Sequence, residues 1–355
     1  MHRLTPLLIF ILCCGTSHHS SFAQSATLFD SDQTLSMTLS GNINELLKDR
    51  STTEPQYHTI SLSYIGDDGH AVNLPIQAKT RGHFRRLKTN CVFPPLLLNF
   101  EIEGPREKSI FEQQNKLKLV TPCRDERYVV REYLVYKLHN LITSKSFRAR
   151  LVKVTYDDTE KGKKSEPLYG ILLEEEEQMA KRNGSVVIER KLVKPEHTLT
   201  EDFLKTAVFE YLIGNTDWSV QYRQNIKLIA PDSLKTPSTV AYDFDHAGIV
   251  GAPYAQPAEQ LMLSSTRERR YRGYCIQDMS QFDNTISFFN RLKDDIYKTY
   301  TQCPLLEESY VKSTVRFLDD FYKTINNPKT VKSEFGYPCR QDGTGNVVIT
   351  GLDKN

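Results

Sequence analysis

Four side chains between residues 215 and 245 are of the types that hold a divalent cation and activate a hydroxyl: Asp217, Asn225, Asp243 and Asp245. Carboxylates and an amide oxygen are the hard donors that Mg²⁺ takes alongside phosphate oxygens. What lies between them decides whether they meet. Ile226 to Ala230 reads as a strand, residues 231–237 as a Pro- and Asp-bearing turn, and Thr239 to Tyr242 as a second strand. Paired as a hairpin, the two strands set Asn225 beside Asp243, with Asp217 on the loop just upstream. Plainer readings stand next to this one. Asp243-Phe244-Asp245 would serve as an ordinary strand end, and Asn215 and Asp217 as turn formers beside a core Trp218. An Asp-x-Asp metal site of a glycosyltransferase would want a Gly-rich strand-to-helix turn upstream, and the sequence has none.

The cations precede the acids. Arg81-Gly82 reads as a turn with more cations after it, and such a turn cradles phosphate because Gly lets the backbone approach and Arg forks onto oxygens. A solvated basic turn is the plain alternative. In Asn115 to Val120 the alternation puts Lys116 and Lys118 on one strand face, where either would reach a phosphate or simply meet solvent. Glu174 opens an acidic run between the two halves of the chain and is a candidate hinge contact; a helix start also favours such acids.

The elements that would position these groups are readable. Asp125 to Thr143 has helical spacing and a capping Asp. Residues 147–156 and 168–173 read as strands, and Glu174 to Arg182 as a short helix ended by Asn183-Gly184. Thr198-x-x-Glu201 reads as a capping box opening a helix from Asp202 to Ile213, which delivers Asn215 and Asp217. Earlier, 59–64 and 71–74 form a hairpin across the Gly66–Gly69 turn. Helices over 285–300 and 307–326 complete an α-rich second half.

With 355 residues, 39% hydrophobic, 25% charged and a net charge of +2, the chain has globular composition and no electrostatic footprint for nucleic acid. Residues 1–25 read as a secretory signal peptide: a basic start at Arg3, an apolar run from Leu4 to Cys14, and small residues before Ala26. No later stretch is apolar enough to cross a membrane. Export to the periplasm or outer surface allows disulfides; Cys91 with Cys123 and Cys275 with Cys303 are candidate pairs, and the sequence leaves the connectivity open. No Cys-x-x-Cys spacing points to zinc.

Taken in order, several short motifs resemble the CotH family of atypical secreted and spore-coat kinases. They are Lys79-Thr80-Arg81-Gly82, Lys116-Leu117-Lys118-Leu119, Arg131-Glu132-Tyr133-Leu134 and Tyr169 to Glu174. Gly214 to Asp217, Asn225 and Tyr242 to Asp245 follow. The whole chain is also similar to a group of exported Bacteroidetes proteins. The resemblance implies an α+β, bilobal protein-kinase-like fold, with a flexible segment over 26–36 and a β-rich N-lobe over 37–195. An α-rich C-lobe over 196–335 and a loose tail over 336–355 would follow. It implies phosphoryl transfer from a nucleotide, ATP, to a protein or small-molecule hydroxyl with Mg²⁺ or Mn²⁺. Asp217 would be the catalytic residue, and Asn225, Asp243 and Asp245 the metal ligands. Lys116 or Lys118 would meet the nucleotide phosphates, Arg81 would clamp them, and Glu174 would lie near the adenine or ribose. Because the Gly-rich loop of protein kinases is absent, a catalytically silent envelope protein that keeps the fold is the alternative.

Overall fold

The computed structural model describes residues 27–50, 54–100 and 109–340. The signal-peptide segment and the tail beyond Arg340 lie outside the described residues. The first half runs β1 (Leu35–Gly41), α1 (Ile43–Lys48), β2 (His58–Ile65), β3 (Ala71–Thr80), β4 (Leu96–Asn99), β5 (Lys116–Val120), α2 (Glu126–Ile142), β6 (Ala149–Asp158), β7 (Lys163–Lys164) and β8 (Leu168–Leu173). The second half runs α3 (Glu176–Arg182), β9 (Val186–Val187), α4 (Thr200–Ile213), β10 (Ile226–Ala230), β11 (Ser238–Ala241), α5 (Asp283–Arg291), α6 (Lys293–Thr301), α7 (Glu308–Ile325) and α8 (Pro328–Phe335).

The bilobal kinase-like architecture is not what the chain adopts. Seven strands close into a mixed barrel in the order β1-β2-β3-β4-β5-β8-β6, with β7 outside it. Closure comes from β1, which pairs antiparallel with β2 on one side and parallel with β6 on the other, from Leu35 opposite Val152 to Gly41 opposite Asp158. No free edge is left along that seam. Strand alternation fills the interior: Leu39, Leu62, Ile76, Leu98, Leu117 and Leu172 are fully buried there. Leu28, in the segment read as flexible, is also fully buried, and its carbonyl accepts from Arg150 Nη1 at 2.9 Å.

Helix α2 packs across the outer side of β6 and β8. The second core gathers around α2, α4 and the three-stranded antiparallel sheet β11-β10-β9. His139 of α2 stacks on Phe209 of α4 at 4.6 Å between ring centroids, and Phe244 meets both edge-on.

Three smaller expectations also change. The N-cap of α4 is Leu199, and the Thr198 hydroxyl donates instead to the Pro195 carbonyl at 2.7 Å, so no capping box forms. The helix read over 285–300 is two helices meeting at Leu292. Cys91 does pair with Cys123, but Cys275 pairs with Cys339 and leaves Cys303 as a free thiol. Among the described residues no helix is long and apolar enough to cross a membrane.

Candidate active site

A cleft of about 270 Å³ lies where the barrel rim meets the β10–β11 hairpin. The acids reach it from the second half of the chain. Helix α4 stops at Gly214, whose φ of 68° is left-handed. A Cβ there would come within 2.9 Å of Phe317 Cζ and 3.2 Å of the Thr266 carbonyl, so the chain turns at this position only with glycine. Asn215 then folds its side chain back: its Oδ1 accepts from the Asp217 N–H at 3.0 Å, fixing the Asp217 backbone.

Asn225 is tied to Asp217. Its Nδ2 donates to the Asp217 carbonyl at 2.7 Å and to Asp217 Oδ2 at 3.1 Å, which turns Asn225 Oδ1 the other way. Gln224 Nε2 reaches Asp217 Oδ1 at 3.5 Å. The hairpin forms as expected, Ile226 opposite Ala241, and the Tyr242 N–H extends it by donating to the Asn225 carbonyl at 3.1 Å. Asn225 therefore sits across from Tyr242, one residue short of the expected Asp243. Both Asn225 and Asp243 have left-handed backbones, φ 51° and 63°, a conformation that costs energy and recurs at functional sites. Phe244 is the anchor of the Asp-Phe-Asp segment: fully buried against Tyr136, His139 and Phe209, it leaves Asp243 and Asp245 to line the cleft.

The cations come from the barrel. Arg81 follows β3 and hydrogen-bonds through its N–H to the Pro95 carbonyl at 2.9 Å, and Gly82 turns the chain at φ 82°. Arg85, in the next turn, donates to the Thr121 carbonyl at 2.5 Å and lies 3.4 Å from Glu132 Oε2 and 3.6 Å from Asp245 Oδ2. Lys118 projects from the outer wall of β5, its Nζ 5.2 Å from the centre of the Tyr242 ring.

These surroundings set the charges. Burial, then the neighbouring Asp245, raises the carboxyl pKa of Asp243, and Arg85 and Arg81 oppose the shift. Burial likewise raises Asp217. Lys118 is pushed down to about 8 by burial first and then by Arg81 and Lys227. Asp243 and Asp245 repel one another in a buried place, and a divalent cation would relieve that repulsion. Among the described residues no three His, Cys, Asp or Glu side chains surround a common point. The donor set that fits is two carboxylates and the turned-away Asn225 Oδ1, with substrate and water completing the shell, as suits Mg²⁺.

Of the residues named from sequence, Arg81, Asp217, Asn225, Asp243 and Asp245 line the cleft, and Lys118 stands beside it. Glu174 does not line it: its carboxylate accepts from the Arg148 N–H at 2.9 Å and from Arg182 at 2.9 and 3.0 Å, a structural pairing at the start of α3. Lys116 lies two residues from Lys118 on the same strand face and does not line the cleft either. Arg85 and His246 line it and were not singled out, although both adjoin motifs that were. No protein-family model matches the chain, and no curated protein matches it.

Proposed function

We propose that this protein is a metal-assisted phosphotransferase that moves a phosphoryl group from a nucleotide to a hydroxyl of a protein or small molecule, as its resemblance to the CotH family implies. One observation carries the reading. Arg81 and Arg85 from the barrel and Asp217, Asp243 and Asp245 from the second half line one cleft, with Lys118 beside it, and Asn225 and Asp243 are held there in left-handed backbone. Arg81, Arg85 and Lys118 would hold the phosphates of the donor. Asn225, Asp243 and Asp245 would hold Mg²⁺ or Mn²⁺, which supplies charge neutralisation on the phosphate oxygens when bound. The acceptor oxygen forms its bond to phosphorus as the bond to the nucleoside diphosphate breaks, and Asp217 takes the hydroxyl proton. Burial makes Asp217 a better base than an exposed carboxylate.

A second reading has its own observation. Asn225 and Gln224 already engage both oxygens of Asp217, which suits a silent protein that binds a nucleotide without turning it over. The two disulfides accord with an exported protein, in the periplasm or on the outer surface.

Thermal unfolding with ATP, with and without Mg²⁺ or Mn²⁺, tests the proposal. Ligand at a hundred times its dissociation constant stabilises by about 2.7 kcal/mol. The expected midpoint rise needs both metal and nucleotide and disappears in Asp243→Ala. Asp217→Asn keeps the rise and loses ADP formation by about 10²-fold or more. No rise at millimolar ATP would sink the phosphotransferase; a rise without ADP formation by the wild type would leave the silent nucleotide binder.

A further inference from the structure

His246 belongs to none of the roles above, yet its surroundings are specific. It follows Asp245 and lines the cleft, and its side chain is buried. The ring is fixed on two sides by aromatic edges, Phe84 at 6.1 Å and 77° and Tyr254 at 5.8 Å and 62°. Phe84 belongs to the same turn as Arg85, and the Tyr254 hydroxyl donates to Asp245 Oδ2 at 3.0 Å, so both walls are tied to the site.

The two ring nitrogens face different worlds. Nδ1 is sealed from solvent and has no hydrogen-bond partner among the described residues. Nε2 is not sealed in this way, and the ring lines the cleft. A proton on Nδ1 would be a buried donor with nothing to receive it, which costs more than placing the proton where an acceptor can come. A ring proton is therefore better placed on Nε2 than on Nδ1.

We propose that His246 is a ligand-contacting residue of the cleft whose Nε2–H donates a hydrogen bond to an oxygen of a bound phosphate group. The inference rests on reading the cleft as a phosphate site. It adds an imidazole donor to a cleft whose lining cations are Arg81, Arg85 and Arg223, with Lys118 beside it, and its ring is held by aromatic edges before ligand arrives. A hydrogen bond from a preset donor to an anionic oxygen is worth about tenfold or more in affinity.

The probe is inorganic pyrophosphate with Mg²⁺, titrated calorimetrically into the wild type and into His246→Gln, His246→Asn, His246→Phe and Arg81→Ala. Glutamine carries an amide to the position of Nε2, asparagine reaches only that of Nδ1, and phenylalanine fills the aromatic slot without a donor. The expected result is loss of about tenfold or more in affinity for the Asn and Phe variants, with Gln within about threefold of wild type. Equal weakening of all three His246 variants would mean that the ring only packs, and would overturn the proposal. Unchanged affinity in all three, with Arg81→Ala weakened, would overturn it while leaving the phosphate cleft intact. Failure of the wild type to bind either pyrophosphate or ATP would remove the cleft reading itself. Should a variant unfold, the wild-type protein still decides: pyrophosphate should shift the ¹⁵N resonance of His246 Nε2, and an unmoved resonance in the bound protein would overturn the contact.

Discussion

Lys118 is the cation of the cleft whose charge is easiest to remove. Burial, Arg81 and Lys227 bring its pKa down to about 8, against about 10.4 for a lysine in an unfolded chain. Two consequences run in opposite directions. Pyrophosphate binding should weaken as pH rises through about 8, because the ammonium that meets the phosphate is lost. Stability should rise from that group over the interval between about 8 and 10.4, because there the unfolded chain binds the proton and the folded one does not. Lys118→Arg keeps its charge across the range, so its affinity profile should be flatter than wild type from pH 7 to 9.5. Parallel profiles would mean that Lys118 does not meet the ligand. At this scale the oxygen donors were the readable part, since Asp217, Asn225, Asp243 and Asp245 are close in sequence and a single hairpin brings them together. Arg85 and His246 were not. Arg85 matters because it spans from the rim to Glu132 of α2 and to Asp245, and His246 because Phe84 arrives from 162 positions upstream to hold it. Glu174 looked free to bind because Arg182, which holds it, lies on a helix that begins only after it.

Among the elements, the loop from Arg81 to Pro95 does most to shape the site, and it is clamped. Cys91–Cys123 joins it to the end of β5, and the Val92 N–H donates to the Cys123 carbonyl at 2.8 Å. Asn90 Nδ2 donates to the Phe84 carbonyl at 2.8 Å, and Arg50 Nη1 to the Cys91 carbonyl at 2.8 Å. The double variant Cys91→Ser/Cys123→Ser should lose about 2–4 kcal/mol of stability and also bind pyrophosphate several-fold more weakly, since Arg81 and Arg85 ride on the loop. Cys275→Ser/Cys339→Ser should lose stability with unchanged affinity, because neither cysteine lines the cleft. Equal affinity in both double variants would show that the clamp does not order the cations. Elements set by neighbouring residues were legible: the β2–β3 hairpin with its Gly66–Gly69 turn, α2 with its Asp125 cap, and β10–β11. The partner of Cys275 was not, because 64 residues separate it from Cys339 and the nearer Cys303 competes on spacing alone.

Barrel closure is the feature of the whole molecule that local pattern cannot announce. The alternation of β1 is the same whether the strand lies at an open edge or seals a ring, and its parallel partner β6 lies more than a hundred residues away. The resemblance to kinases implied two lobes, while the chain makes a barrel against a second, helical core. This division separates stability from binding in a testable way. Leu62 faces Leu39 across the β1–β2 pair, both fully buried in the barrel interior. The cleft uses the opposite side of the wall, where Lys118 alternates with the inward Leu117 and Leu119, together with the rim at Arg81. Leu62→Ala should cost about 2–5 kcal/mol through the cavity it leaves, read as a lower midpoint in thermal or urea unfolding. Below that midpoint its pyrophosphate affinity should stay within about twofold of wild type, because interior packing at Leu62 touches none of the groups that meet the ligand. If affinity fell in step with stability, the barrel wall would be transmitting its packing to the rim. The cleft would then have to be treated as part of the barrel core rather than as a site mounted on it.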